Sequence, residues 1–430
     1  MPYVRSPILL TTISRPVKWR AQLITGVPIE FAMSRIYVNG NLLPFEHRTD
    51  ALPVGIALQF DIDVTGRLLD AIALAPNNGR VTNSIAQNYK QEYFQEATDL
   101  TLEVYIDTQY YYYDSLGNLN TLGISEISST VYVFATQAQH LETTNMTMFD
   151  AYPGMKPLTY REDYYEVQKN QQGVFLSFFW KKGYGNVMIF VSLNDETGTN
   201  APFPNEAYKI MTLAPTVKEY HVQTFGIGLV NLLSTVWTAG ALNIASTEYD
   251  RAKIEIILPV PLGGGAYFFI NFFEVNYLVN HKACEGVGVY WRNSLGGFES
   301  HWFNESQNRR KAAITSDLIR TPQRMNYDLP QAYNPALRGL GNTNGKIETT
   351  ISVDTPLESN TARANFWVGL AASQEVYISE DALEEYPNTL NTTTLIPVIL
   401  PDQEYNYRIN RNAPVSQTID MILSNPVNTL

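Results

Sequence analysis

The sequence predicts a mainly β fold, with several β-sandwich or barrel-like modules and a small α+β module at the C-terminus. Aromatic residues make up 12% of the chain, including 27 tyrosines, and charged residues only 17%, against roughly 25% in ordinary globular proteins. Short β-branched and aromatic runs alternate with Gly, Pro and Asn, which is the pattern of strands and turns. At 430 residues, the chain is long enough for two or three domains.

The first predicted domain, residues 1–150, is an N-terminal β domain of short strands. Asn39-Gly40 predicts a hairpin turn, and Pro44 is expected to cut its second strand short. Phe60–Val64 alternates apolar and acidic residues and predicts a strand. The other predicted elements are strands over 17–23, 100–107, 110–113 and 131–135, a turn over 114–118 and a short helix over 66–73.

Two groups of residues in this domain allow more than one interpretation. Asp61 and Asp63 share a strand face, and we favour a solvated face over calcium because the remaining ligands of a calcium-binding loop are lacking. Four consecutive tyrosines can stack on sugars, but we favour a strand covered by a neighbouring subunit, since Tyr is enriched in interfaces. These predicted interface residues are Tyr110, Tyr111, Tyr112 and Tyr113.

The central β domain, residues 151–320, carries the aromatic hairpins. Val174–Trp180 and Val187–Leu193 predict one hairpin, which we place at the centre of a sheet or under a partner because both runs are apolar on both faces. Gly263-Gly264-Gly265 lacks the Lys-Ser/Thr of a phosphate loop and is interpreted as a hinge or tight turn. The other predicted elements are a helix over Phe225–Trp237 and strands over Lys253–Val260 and Tyr267–Val279.

A second hairpin, with strands Val289–Trp291 and Phe298–Phe303, closes the central domain. Two adjacent glycines in its turn allow positive φ or close approach to a neighbouring backbone. The chain then turns basic, which indicates that it leaves the core for a surface or a partner. We predict interface residues on this hairpin and its exit: Trp291, Asn293, Gly296, Gly297, Phe298, Arg309, Arg310 and Lys311.

The last part of the chain divides into an arm and a small module. Residues 321–345 carry Pro, Asn and Gly throughout, which predicts an extended arm or linker. Residues 346–430 predict a small α+β module. Its expected elements are a strand over 346–353, a helix over 359–373 and strands over 375–378, 393–400 and 405–409.

The chain shows no catalytic, metal-binding or cofactor-binding signature, so we predict no enzymatic activity and no cofactor. Its five histidines lie in no metal-spaced pair, and the single cysteine, Cys284, cannot form an internal disulfide. Glycosidase carboxylates need only proximity in space. Glu274 is the acid we single out for that test, and its alternative role is to pair with Arg292 or another cation of its sheet.

The net charge of -12 argues against general nucleic-acid binding, because that footprint is basic. The same negative charge also fits a protein that lines a lumen through which DNA passes without adhering to the wall. The N-terminal apolar run is too short for a signal peptide, and no stretch approaches the ~20 apolar residues of a membrane span.

Three groups of motifs resemble structural proteins from the tails of bacteriophages that infect Bacteroidetes, including crAss-like phages. The first is a Trp-x-Asn-x-x-Gly-Gly-aromatic segment with an aromatic strand and a basic exit. It is followed along the chain by Trp-Val-Gly-Leu-Ala-Ala-Ser-Gln-Glu-Val-Tyr with its flanking strands, and preceded by a shorter stretch near the start. The matching residues are Trp291, Asn293, Gly296, Gly297, Phe298, Phe303, Arg310-Lys311, Trp367–Tyr377, Leu395–Leu400, Tyr405–Tyr407 and Phe60–Leu69.

The resemblance implies a structural virion protein of a phage tail, neck or baseplate, assembled as a multi-copy ring through β-edge and aromatic interfaces. The implied partners are copies of itself and other virion proteins (portal, neck, tail or baseplate), with DNA passing through a lumen without specific binding and with no membrane. We expect the protein in the virion, made in the host cytoplasm. Two alternatives stay open: a carbohydrate-binding receptor-recognition protein or adhesin, and a polysaccharide-active enzyme.

Overall fold

The computed structural model forms two compact units. The first comprises Met1–Lys282 and Arg292–Ser300, and the second Ala283–Trp291 and His301–Leu430. The structure describes residues 3–5, 10–12, 16–54, 56–68, 90, 94–97, 101–134, 158–160, 164–168, 172–181, 187–194, 206–211, 220–233, 235–240, 242, 244, 249–263, 266–280, 286–293, 295–304, 308–319, 341–356, 361–373, 375–379, 395–401 and 416–423. The predicted fold class is confirmed: the chain is mainly β, with several antiparallel sheets and few helices.

The first unit begins with two sheets. The strands in this part of the chain are β1 (Tyr3–Arg5), β2 (Leu10–Thr12), β3 (Lys18–Leu23), β4 (Phe31–Val38), β5 (Asn41–Asp50), β6 (Leu52–Val54), β7 (Ala57–Asp63), β8 (Phe94–Ala97), β9 (Thr101–Tyr113), β10 (Leu119–Ile127) and β11 (Val131–Phe134). The first sheet has the order β1-β3-β7-β6. The second has the order β2-β11-β9-β4-β5, with β10 paired to β9, while β8 joins a different sheet.

The first and second sheets enclose one hydrophobic core. Trp19 and Phe60 from the first sheet and Ile36 and Ile106 from the second are fully buried in it. The predicted strand 60–64 is confirmed within β7, where Phe60 and Ile62 are buried and the two aspartates are only partly so. This alternation follows from the period of two along a strand.

The Asn39-Gly40 hairpin is confirmed. Both residues have positive φ, 51° and 77°, as the two-residue turn that matches strand twist requires. The expectation that Pro44 ends the second strand early is wrong, because β5 continues to Asp50. Pro44 is tolerated because β5 is an edge strand and a register shift lies opposite Arg35/Tyr37, where ladder hydrogen bonds are interrupted.

The rest of the first unit contains a third and a fourth sheet. Their strands are β8 together with β12 (Tyr164–Gln168), β13 (Phe175–Lys181), β14 (Val187–Asn194), β15 (Glu206–Met211), β16 (Tyr220–Gly226), β17 (Ala239–Gly240), β18 (Arg251–Gly263) and β19 (Ala266–Asn280). The third sheet has the order β13-β16-β8, and the fourth β12-β19-β18-β14-β15-β17. One core joins them, with Phe178 and Phe225 from the third and Val191 and Ile254 from the fourth.

The predicted hairpin of 174–180 with 187–193 is wrong, although both runs are strands. β13 pairs with β16 in the third sheet, whereas β14 pairs with β15 and β18 in the fourth. The two apolar runs therefore supply opposite sides of one core. Each is apolar because it is buried between sheets, and adjacency in sequence does not make them neighbours in a ladder.

The predicted helix over Phe225–Trp237 is largely wrong. Phe225 lies in β16, helix α1 covers only Leu229–Leu232, and residues 235–237 are not helical. The amides of Ile227 and Gly228 both donate to the Val174 carbonyl, which holds this segment against β13 instead of in a helix. Of the triple glycine, Gly263 ends β18 and pairs with Ala266 at the start of β19, as expected of a tight turn, and Gly264 and Gly265 lie outside the described residues.

The fifth sheet lies mostly in the second unit. The elements in this part of the chain are β20 (Gly286–Arg292), β21 (Phe298–Asn304), β22 (Asn308–Ile319), β23 (Gly341–Asp354), α2 (Thr361–Ala371), β24 (Val376–Ser379), β25 (Leu395–Ile399) and β26 (Thr418–Leu423). The order of strands is β21-β20-β24-β25-β26-β23-β22. The strands predicted at 346–353, 375–378 and 393–400 and the helix predicted over 359–373 are confirmed with shifted ends.

Some predictions on this part of the chain are not tested. The predicted strand 405–409 and Cys284 lie outside the described residues, as does most of the predicted arm, 321–345. Residues 341–345, at the end of that arm, are paired in β23. The domains predicted at 1–150, 151–320, 321–345 and 346–430 stay predictions. Across the described ranges, no helix has the length and apolar character needed to cross a bilayer.

Candidate interaction surfaces

The predicted hairpin of β20 and β21 is present, and its turn is fixed by Asn293. The Asn293 amide donates to the Gly297 carbonyl (2.9 Å), and the Gly296 amide donates to the Asn293 carbonyl (3.0 Å). The Asn293 side-chain oxygen accepts from the Gly297 amide at 2.9 Å. Together these bonds form a three-residue hairpin loop that needs a left-handed residue at its end.

The two turn glycines are each required for a different reason, and both reasons were predicted. Gly296 has φ 89°, a conformation that side chains disfavour. Gly297 instead lies so close to Leu158 that a Cβ would overlap the Leu158 carbonyl oxygen.

Around this turn, the first unit buries a polar cluster. The Asn293 side-chain amide donates to the Leu158 carbonyl (2.8 Å) and to the Glu299 carboxylate (2.9 Å). The Ser300 hydroxyl donates to the Gly173 carbonyl at 2.8 Å. Because buried polar groups are costly unless hydrogen-bonded, these bonds hold the turn on the segments 158–160 and 172–177. The cluster is structural in character and exposes little to solvent.

The apolar members of the hairpin are also covered by the chain. Phe298 meets Phe175 edge to face, with ring centroids 5.5 Å apart. In the second unit, Trp291 is fully buried beside Phe366 and Trp367, with centroids at 4.8 and 6.5 Å. The assignment of Trp291, Asn293, Gly296, Gly297 and Phe298 to an interface stays a prediction.

The four tyrosines of β9 differ in burial and in their contacts. Tyr110 is fully buried and donates its hydroxyl to Glu126 (3.0 Å), and Tyr111 stacks on Phe31 with centroids 5.1 Å apart. Tyr112 packs against the first core. Tyr113 is half exposed. Their interface role also stays a prediction, and for three of them the chain itself already supplies a packing partner.

Glu126 connects the tyrosines to strand β10. Burial raises the pKa of the Glu126 carboxyl above its ordinary value, although the hydrogen bond from Tyr110 opposes that shift. Burial also raises the pKa of the Tyr3 hydroxyl to about 12. The Tyr3 hydroxyl in β1 donates to the Glu126 carbonyl (3.0 Å) and shares a second hydrogen bond with the Thr108 hydroxyl (2.9 Å), so the first sheet is hydrogen-bonded to the second.

The acids singled out from the sequence are engaged by cations. The Glu274 carboxylate lies 3.1 Å from the Lys253 ammonium group. Its partner is thus another cation of the same sheet, which was the alternative to Arg292. Burial pushes the Glu274 pKa upward, but hydrogen bonds from Asn276 and Lys253 outweigh it and leave the pKa lowered. Asp61 pairs with Arg20 at 2.7 Å, and that bond lowers the Asp61 pKa.

Asp63 pairs with Lys18 at 2.9 Å and accepts two bonds from Thr65. Its carboxylate is therefore satisfied by a cation of the neighbouring strand β3 and by the residue two positions further along the chain. In the part of the chain that the structure describes, no group of three or more His, Cys, Asp or Glu is placed to hold a metal ion.

Basic residues Arg309, Arg310 and Lys311 open β22, the outer strand of the fifth sheet. Their backbones pair with Ser352, Ile351 and Thr350 of β23. The positions of their side chains lie outside what the structure describes. Basic residues on an edge strand are a common protection against unwanted pairing.

The sequence did not predict β10, a largely exposed strand. It follows the predicted turn 114–118, which is confirmed by the Gly117 amide bond to the Asp114 carbonyl (2.9 Å) and by the positive φ of Gly117. Large apolar side chains along this hairpin are exposed: Tyr113, Leu116 (84%), Leu119, Ile124 and Ile127 (68%). Among the described strands, β10 pairs with β9 alone, so no described strand covers its other edge.

A second apolar edge lies on the first sheet. All three residues of β6 are exposed, and Ile56, just beyond it, is 87% exposed. Single exposed apolar residues are normal, but a contiguous group on a strand edge indicates a contact site. Both exposed edges belong to the first unit.

Comparison with known proteins identifies no family. No protein-family model and no curated protein matches the chain. Among solved structures, it is similar to a marsupial T cell receptor at 7% identity, with 80% of this chain and 93% of that chain covered and a TM-score of 0.17. A chimeric titin Z1Z2-Z1Z2 tandem has 10% identity, coverage of 65% and 100%, and a TM-score of 0.13. Such low TM-scores carry no information about fold or function.

Proposed function

We propose that this chain is a structural virion protein of a phage tail, neck or baseplate, assembling as a multi-copy ring. The observation that carries the proposal is the pair of uncovered, apolar strand edges on the first unit, at β10 and at β6 with Ile56. Open edges with apolar side chains tend to pair with other chains, and an assembly of copies covers them. The resemblance of the Trp291–Phe298 motif to phage tail proteins supports the same function.

The arrangement of acids and tyrosines does not add support for the two alternatives. Glu274 is held by Lys253 and Asn276, as expected of a structural ion pair. Of the tyrosines considered for sugar stacking, Tyr110 is fully buried and Tyr111 is stacked on Phe31. In the proposed function, Tyr110 and Tyr111 pack within the sheet that carries β10, and the Glu274 ion pair joins β18 and β19 of the fourth sheet.

The proposal is tested by the assembly state of the purified full chain. Light scattering after size exclusion, with negative-stain imaging, is expected to show closed multi-copy particles. A monomer at every concentration tested would contradict the proposal. Binding on a glycan array would favour the adhesin, and release of reducing sugar from polysaccharides would favour the enzyme. If copies assemble, the protein is expected in purified virions alongside portal, neck, tail or baseplate proteins.

A further inference from the structure

We propose that two copies of this chain join through their β10 strands, paired antiparallel about a two-fold axis at Gly123. The inference rests on the proposed function, because it names the surface through which copies meet. It depends on which backbone groups of β10 are open, on the symmetry of their spacing and on the lack of charge along that edge.

The open backbone groups follow from the ladder between β9 and β10. The Asp114 amide donates to the Asn118 carbonyl (3.0 Å) at one end, and the Ser128 amide donates to the Ile106 carbonyl (2.8 Å) at the other. Bonded and non-bonded pairs alternate in an antiparallel ladder. The residues whose N–H and C=O groups turn away from β9 are therefore Leu119, Thr121, Ser125 and Ile127, opposite Tyr113, Tyr111, Gln109 and Asp107.

These open positions are symmetric about Gly123. Leu119 and Ile127 are equidistant from it in sequence, and so are Thr121 and Ser125. An antiparallel second copy centred on Gly123 thus places Leu119 opposite Ile127 and Thr121 opposite Ser125, so that open backbone groups face open backbone groups. A two-fold contact requires this kind of self-complementarity.

The centre of the contact has room for a second strand. Gly123 has φ 72°, and a Cβ built there would meet nothing within 4 Å. The register of β10 against β9 shifts between Thr121 and Ser125, so the second copy would pair through two short ladders, one on each side of the glycine. The exposed side chains of Leu119, Ile124 and Ile127 would cover one another across the two-fold axis.

Charge separates β10 from two other edge strands, β5 and β22. β5 carries exposed Glu46, Arg48 and Asp50, and β22 carries three basic residues after Asn308, which protects an edge from pairing. The single charged residue of β10, Glu126, accepts a hydrogen bond from Tyr110 in its own sheet. In the two-fold register it faces Asn120 of the second copy, so like charges are not opposed. These features favour a second copy over a charged partner.

A two-fold contact joins copies in pairs, so a closed ring needs a further contact of another kind. The test compares full-length variants by light scattering after size exclusion. Leu119→Lys with Ile127→Lys places like charges opposite each other and is expected to halve the mass of the assembly. Leu119→Lys with Ile127→Glu places opposite charges across the axis and is expected to restore the mass in low salt and to lose it in high salt.

Two further variants serve as controls. Thr121→Pro removes an outward N–H that β9 does not use, and it is expected to weaken pairing while circular dichroism stays that of the wild type. Ile24→Lys, on an isoleucine that is 71% exposed and lies on neither of the two apolar edges, is expected to leave the β10 contact and the mass unchanged. An assembled wild type whose mass the double-lysine variant does not change would overturn the β10 contact and leave the proposed function standing. A monomeric wild type would overturn both.

Discussion

The close approach of Gly297 to Leu158 makes Gly297→Ala the sharpest single test of the first unit. The new methyl group would overlap the Leu158 carbonyl oxygen and lie 3.1 Å from the Leu158 Cβ. Leu158 is buried, its amide donates to the Ser177 carbonyl (2.7 Å) and its carbonyl accepts from Asn293 (2.8 Å). The methyl group can be accommodated only if Leu158 moves and these bonds lengthen.

The expected destabilisation has two parts. Two weakened hydrogen bonds cost about 1 kcal/mol each, and overpacking of a tight site costs about 1–3 kcal/mol. The free energy of unfolding should therefore fall by about 3–5 kcal/mol. Gly296→Ala, where the strain is a left-handed backbone conformation, should cost about 1–2 kcal/mol.

Urea unfolding followed by tryptophan fluorescence measures these differences. Gly26→Ala is the matched control, since Gly26 is exposed, does not have positive φ and has nothing within 4 Å of a built Cβ; its effect should stay within about 0.5 kcal/mol. If Gly297→Ala and Gly26→Ala unfold at the same urea concentration, the account of the turn is refuted.

Three further predictions concern polar groups. Asn293→Ala removes the bonds to Leu158, Gly297 and Glu299 and should cost about 2–3 kcal/mol in urea unfolding; an effect near zero would contradict the structural role of the buried cluster. Because burial raises the pKa of Glu126, the folded chain takes up its proton at a higher pH than the unfolded chain. The contribution of Glu126 to the free energy of unfolding therefore rises as the pH falls from the pKa of the folded chain to that of the unfolded chain. Glu126→Gln should flatten the plot of thermal midpoint against pH over that range. An unchanged plot would contradict this role of Glu126. Glu274→Gln loses a partly exposed ion pair and should change stability by less than about 1 kcal/mol. Reducing-sugar assays should show no hydrolysis by wild type or variant, whereas wild-type hydrolysis lost in the variant would support the enzyme alternative.

Local signals in the sequence were sufficient where the structure depends on neighbours along the chain. Asn39-Gly40 and Gly296-Gly297 mark turns whose φ angles and contacts require those residues. The same signals could not show that β13 and β14 enter different sheets, because an apolar run has the same pattern in either place.

The exposed edge at β10 had no signal in the sequence comparable to that of the turns. The interface predicted on the Trp291–Phe298 hairpin stays a prediction, and its Trp291, Asn293 and Phe298 side chains are buried within the chain. The sequence did not predict β10 because Gly123 and the register shift around it interrupt the alternation of apolar and polar residues that is typical of a strand. An exposed edge also has little need of a strict apolar pattern, so sequence alone gives it only a weak signal.

Strand β8 can pair only late during synthesis, because its partner strand lies far along the chain. Its residues 94–97 lie early in the chain, but their partner in the ladder is β16, residues 220–226. A ribosome must therefore translate well past the first two sheets before this short segment finds its ladder, and until then a nascent chain has it unpaired. A fragment that starts after residue 97 would leave one side of β16 bare and is expected to be more prone to aggregate than the whole polypeptide.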